Sequence, residues 1–434
     1  MMLPSNKPSP SRPVRRSAKM RCSVVSVGLF LTLSVTGAAA GESGDWIGAW
    51  SASPQPLWTA DFPPIPTLPR LLFNQTVREI AWLHLGGNRV RIVLSNEYGQ
   101  WPLTIGEAHV AIAGTGAAID PASDRKLTFG GKDSITVPPG APAISDPVDL
   151  AVTPLSSLAV SLFLPQASPT DTFHWDGKQT AFIAAGNQTA ASDIKADATT
   201  LSRAFLSEIM VDAPSGSQAI ATFGDSITDG DGSTPDANHR WPDFLAKRLV
   251  DKQIGAAILN QGISGDKVLS DRLGANALAR FDRDVLSQPH ISAVTLMMGI
   301  NDIGWPGCAL APNDKEPTAD DIIAGYRQLI TRAHARGVRI IGVTLTPFED
   351  SFKGTPFEGY YTPDKEKIRV AVNDWIRKGG QFDGVIDFDA VVRDPDHPSR
   401  ILAAFDHGDH LHPNDAGYQK MAESIDLDML VPKK

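Results

Sequence analysis

The 434-residue chain has only two cysteines, Cys22 and Cys308, too few for a disulfide-stapled scaffold or most cysteine-rich metal modules. It also lacks an excess of basic charge, with 40 Lys and Arg against 49 Asp and Glu and a net charge of −9. Six of the basic residues (Lys7, Arg12, Arg15, Arg16, Lys19 and Arg21) lie in the first 21 residues, with no acid among them. Removing that segment leaves 34 basic residues against 49 acidic ones, a net charge of −15. Such a surface repels phosphate backbones, so no nucleic-acid partner is expected. Repeats and low-complexity stretches are absent. Apolar residues make up 42% and charged residues 21%, which excludes intrinsic disorder, a collagen-like chain and a polytopic membrane protein. The length accommodates two or three domains.

What is present begins with an address. After the basic stretch comes an apolar run from Cys22 to Thr36, followed by the small residues Gly37-Ala38-Ala39-Ala40. Basic, apolar and small-residue segments in this order predict a secretory signal peptide over residues 1–40, cleaved near Ala40. The run is short for a membrane span, so no stable membrane insertion is expected once it is removed. Arg15-Arg16 lacks the rest of a twin-arginine motif, and Cys22 opens the apolar run instead of closing it as a lipoprotein cysteine would. The expected location is secreted or periplasmic. Cleavage would leave Cys308 alone and preclude an intramolecular disulfide.

Two periodicities follow. Over residues 46–212, alternating stretches such as Val77–Leu85 and Arg89–Leu94, joined by Gly86-Gly87-Asn88, predict a β-hairpin. Further strand candidates are Gly106–Ala113, Ser134–Val137 and Leu158–Leu164. Short strands between Pro- and Gly-rich turns predict a β-sandwich, jelly-roll-like domain. Asp212–Ser217 has linker composition. From Gln218 to about Val431, short apolar runs alternate with helical periods, as in Ala219–Phe223, Ala293–Met298 and Val338–Leu345. Thr318 is placed to cap a helix that carries Ile322, Ile323, Tyr326, Leu329 and Ile330 and ends at Gly337. This alternation predicts an α/β domain, a parallel sheet in a three-layer α/β/α arrangement, with its site beyond the carboxyl ends of the strands.

Four segments fall at those ends. Gly224-Asp225-Ser226 places a hydroxyl after the first strand. Gly262-Ile263-Ser264-Gly265-Asp266 follows the second, where its glycines let backbone N–H groups point into a site. Gly299-Ile300-Asn301-Asp302 follows the third and offers a side-chain amide. Asp409-His410-Leu411-His412-Pro413 precedes the final helix, with carboxylate and imidazole three residues apart. A nucleophilic serine needs a base, the base needs a carboxylate to fix its tautomer, and the oxyanion needs preorganised donors.

These four blocks resemble those of the SGNH (GDSL) hydrolases, in the family's order, from Gln218 to about Leu430. The resemblance implies that Ser226 is the nucleophile, His412 the base and Asp409 its orienting acid. The oxyanion hole would be formed by the N–H of Ser226, the N–H of Gly265 and the side chain of Asn301. It implies no cofactor and no metal. Trp46–Pro54, Arg89–Gly99 and Arg240-Trp241-Pro242 are similar to exported bacterial relatives with an N-terminal β-domain, among them arylesterases and acylhydrolases encoded beside xylanases. A small acyl ester or an acylated polysaccharide is the substrate class so implied.

The neighbouring residues have plainer readings. Asp225 and Asp302 are expected to hold their loops by hydrogen bonds, and Trp241 to pack in the core. Trp305 and Tyr360-Tyr361 fit pocket lining and plain packing equally. His407, His410 and His412 with Asp406 and Asp409 have metal-ligand chemistry, but the serine blocks and Pro413 favour the hydrolytic reading. Two rival functions stand beside a short-chain esterase: a lipase or thioesterase for longer chains, and a carbohydrate-binding protein with an inactive hydrolase half. No long apolar lid accompanies the blocks, and all five catalytic positions are intact.

Overall fold

A computed structural model describes residues 45–58, 68–309 and 311–431. The signal-peptide reading of residues 1–40 lies outside them. Among the described residues, no helix is long and apolar enough to cross a membrane.

The first half is built from antiparallel strands. One sheet runs in the order Trp46–Ser51, Leu206–Asp212, Gly87–Ser95 and Pro142–Ile144, with Val148–Val152 also paired to Gly87–Ser95. The other is six-stranded, with Gln75–Trp82 and Ser157–Leu164 at its centre. The inner faces meet in one core, where Ile47, Val90, Ile92, Leu94 and Ile209 oppose Val77, Ala108, Val110, Leu158, Val160 and Leu162. That alternation of inward apolar residues makes the half a sandwich.

The hairpin expected at Gly86-Gly87-Asn88 is absent. Gln75–Trp82 and Gly87–Ser95 belong to different sheets, so Leu83–Gly86 crosses from one layer to the other. The glycines are there for clearance. A Cβ on Gly86 would meet the Val152 carbonyl at 2.7 Å, and one on Gly87 the Asp212 carbonyl at 2.6 Å.

The second half is a five-stranded parallel sheet in the order Ala256–Gly262, Gln218–Gly224, Ile291–Met297, Arg339–Val343, Gly384–Ile386. Side chains alternate between its faces. Ala221, Phe223, Val294, Leu296 and Ile340 pack with the helices Ala319–Ala335 and Pro363–Lys378. Ile220, Ile258, Ala293, Ile341 and Val343 pack with Trp241–Asp251 and Asp415–Glu423. Trp241 is fully buried and meets the edge of Phe388. Thr318 caps its helix as read, its side chain accepting from the Asp321 N–H, and Gly337 follows with φ +69°. The strand order reverses on either side of Gln218–Gly224, which opens a crevice at the carboxyl end of that strand.

The halves pack directly on one another. Trp46–Ser51 is buried along its whole length, one side facing the sandwich core and the other the edge strand Ala256–Gly262. Ala219, Ala257 and Leu259 of the parallel sheet join the sandwich's own core. Polar side chains complete the seam. Ser51 Oγ donates to the Asn260 carbonyl at 3.3 Å, and His84 Nδ1 bonds the Ile258 carbonyl. The edge of the parallel sheet is thereby covered.

Candidate active site

Ser226 opens the short helix Ser226–Asp229 at the end of the first parallel strand. Asp225 is its N-cap, accepting from the Ile227 N–H at 3.1 Å, which matches the loop-holding reading of that residue. On the far side of the crevice, Asp409 Oδ1 accepts the backbone N–H groups of Leu411 and His412 at 3.0 and 2.9 Å. Its Oδ2 lies 2.6 Å from His412 Nδ1, and His412 Nε2 lies 2.8 Å from Ser226 Oγ. The three side chains stand in one hydrogen-bonded line. Because Asp409 accepts from Nδ1–H, neutral His412 presents the Nε2 lone pair to the serine.

Gly265 and Asn301 follow the carboxyl ends of the two strands that flank Gln218–Gly224. Gly265 has φ +77°, and a Cβ there would also strike Leu273 at 2.3 Å. Asn301 lies in the helix Ile300–Gly304. Its Nδ2 donates to the Asp266 carbonyl at 3.0 Å and its Oδ1 accepts from Tyr360 Oη at 2.8 Å. A carbonyl can only accept, so these partners fix the amide's orientation and leave one Nδ2–H uncommitted. Tyr360 is thus a buried support and not a pocket wall, and Trp305 packs edge-on against it at 5.6 Å. Asp302 likewise holds a loop, accepting from the Val268 and Leu269 N–H groups at 2.7 and 3.0 Å.

The electrostatics are unusual for a buried crevice. Burial pushes the Asp225 and Asp266 carboxyls each up to about 7 and that of Asp302 to about 6. Arg280, fully buried, links two of the blocks. Its Nε meets Asp266 Oδ2 at 2.7 Å and its Nη2 donates to the Gly224 carbonyl at 3.0 Å. Burial opposes charge on His412, but Asp231 and then Asp409 outweigh it and raise the imidazole to about 9. Asp231 Oδ2 sits 3.8 Å from His412 Nε2, and its other oxygen is 3.5 Å from Lys178 Nζ.

Asp231, Lys178 and Arg280 are not singled out by the sequence patterns above, where Tyr360 is named without its link to Asn301. Asp231 carried a signal, lying five residues after Ser226. The contacts of Lys178 with Asp231, Arg280 with the Gly224 carbonyl and Tyr360 with Asn301 leave no local pattern, because each joins residues more than fifty positions apart.

The remaining histidines diverge from His412. His410, with φ +62°, turns to Asp406 at the surface, and His407 is exposed. Among the described residues, no group of three or more His, Cys, Asp or Glu is arranged to hold a metal. Cys308 is buried and unpaired by any disulfide.

Residues 220–425 match the family model of GDSL-like lipase/acylhydrolases. A GDSL-like lipase from Bacteroides thetaiotaomicron VPI-5482 is 18% identical, with 49% of this chain and 87% of that one covered and a TM-score of 0.36. A carbohydrate acetylesterase family member from Sinorhizobium meliloti is 17% identical, with coverage of 49% and 99% and a TM-score of 0.38. No curated protein matches the chain. Residues 220–425 are thus a GDSL-like lipase/acylhydrolase domain, and the chain that carries it is a carboxylic ester hydrolase.

Proposed function

We propose that the chain is an exported serine esterase that hydrolyses short-chain carboxylic esters, acetyl groups on plant polysaccharide among them, through an acyl-enzyme. The observation that carries this reading is the unbroken line from Asp409 through His412 to Ser226 Oγ. Ser226 Oγ attacks the ester carbonyl while His412 Nε2 takes its proton. The negative charge on the carbonyl oxygen rests on the N–H groups of Ser226 and Gly265 and on Asn301 Nδ2. Collapse expels the alcohol, protonated by His412, and water repeats the sequence on the acyl-enzyme. Export rests on the residue pattern of positions 1–40.

A short acyl group is favoured by the rim, where Asp231, Lys178 and His407 put charge and polar surface beside the histidine. Trp305 packs edge-on against both Phe357 and Tyr360, the residue that holds Asn301. Rates on p-nitrophenyl acetate are expected to exceed those on the octanoate at least about tenfold, a discrimination within reach of one apolar pocket. Acetate release from acetylated xylan should accompany this. A preference for octanoate would make the enzyme a long-chain lipase, and no hydrolysis at all would leave the sandwich as the working part.

A pH dependence follows from the second carboxylate. His412 must be neutral to act as base, and its folded value of about 9 means that kcat/KM should climb with pH through that region. Asp231→Asn removes the nearest charge favouring imidazolium. The rising limb should then move to lower pH by about one unit. Lys178→Ala leaves Asp231 unopposed and should move it the other way. Profiles in which neither variant displaces the limb would show that Asp231 does not set the base.

A further inference from the structure

His174 ends the short strand Thr172–His174 in the sandwich half, yet its ring lies beside the crevice of the other half. It is 4% exposed and its partner Asp229 only 1%. His174 Nδ1 is 3.0 Å from the Ser53 carbonyl and Nε2 is 3.0 Å from Asp229 Oδ1. A carbonyl can only accept, so Nδ1 carries a proton. The other oxygen of Asp229 accepts both the N–H and the Oγ–H of Ser264, at 3.1 and 2.9 Å. With Asp229 ionised, Nε2 donates as well and the ring is an imidazolium. Burial of the ring opposes that charge, while Asp229, the Ser53 bond and Asp176 raise its pKa above the ordinary value.

The position of this pair gives it a use. Asp229 is the last residue of the one-turn helix that Ser226 begins. Ser264 immediately precedes Gly265, whose backbone is held at φ +77°. One carboxylate therefore ties the serine's helix to the glycine loop, and a cation from the other half holds that carboxylate in place. We propose that His174 is a positioning residue: through Asp229 and Ser264 it fixes the Gly265 N–H relative to Ser226 Oγ. This rests on the reading above that Gly265 donates to the oxyanion. The sandwich thereby contributes to transition-state binding without touching the substrate.

The test uses the full chain, p-nitrophenyl acetate as substrate and phenylboronic acid as a tetrahedral adduct-forming probe. His174→Gln, Ser264→Ala and the double variant are compared with Ser226→Ala. His174→Gln is expected to lower kcat about tenfold, below the roughly 10²–10³ expected on losing a donor outright, with KM within about twofold. Boronate affinity should fall in parallel with kcat, a change that a purely structural role would not produce. Ser264→Ala should act in the same direction, and the double variant should be scarcely worse than His174→Gln, since both act through Asp229. Wild-type kcat and boronate affinity in His174→Gln, or strictly multiplicative losses in the double variant, would overturn the proposal. If His174→Gln proves insoluble, Ser264→Ala decides alone, and unchanged kcat and boronate affinity there would overturn it. An active Ser226→Ala would instead overturn the reading of the site itself, whatever His174 does.

Discussion

Ser226→Ala and His412→Ala are each expected to lower kcat on p-nitrophenyl acetate by at least about 10⁴-fold. In the proposed mechanism, the 2.8 Å contact between Ser226 Oγ and His412 Nε2 makes the hydroxyl a nucleophile. Without the imidazole, the proton has no acceptor as the bond to carbon forms. Without the hydroxyl, the imidazole has nothing to activate except water, in a crevice shaped for another step. Because the two act as one unit, the double variant should be scarcely slower than either single one. Ser226→Ala removes a single oxygen and His412 lies outside the helices and strands, so far-UV circular dichroism should be unaltered. A single variant that keeps a tenth of the wild-type turnover would remove these residues from the chemistry.

Asn301→Ala is expected to lower kcat by roughly 10²–10³, with a smaller effect on KM. The charge it would bind appears only in the transition state, so its loss leaves ground-state binding nearly intact. Its orientation is imposed by neighbours: the Asp266 carbonyl takes one N–H at 3.0 Å and the Tyr360 hydroxyl donates to the amide oxygen at 2.8 Å. Tyr360→Phe should accordingly fall in the same direction by a smaller factor, because the amide remains but is less firmly held. Steady-state kinetics on both variants checks this. A raised KM at unchanged kcat would make Asn301 a ground-state contact.

The division between what residue patterns reveal and what they conceal follows the range of the interactions. Ser226, Gly265 and Asn301, each in a block just after a strand, and the Asp409–His412 pair, in a block before a helix, stood out because the parts of each block are neighbours in sequence. The alternation of apolar runs with helical periods likewise disclosed the parallel sheet, since βαβ packing is written locally. The contacts of His174 with Asp229, Lys178 with Asp231, Arg280 with Gly224 and Tyr360 with Asn301 were silent, as they span 55, 53, 56 and 59 residues. No spacing rule joins positions brought together only by the tertiary fold. The Gly86-Gly87-Asn88 segment misled for another reason. Glycine serves tight turns and close backbone approach alike, and here Val152 and Asp212 leave no room for a side chain.

Trp46–Ser51 has apolar partners on both of its sides, and Ala219, Ala257 and Leu259 sit in the core of the neighbouring sandwich. The break in composition at Asp212–Ser217 is therefore not a break in free energy. Shuffling the catalytic half onto another scaffold would strand those side chains in water and uncover the backbone rim of Ala256–Gly262.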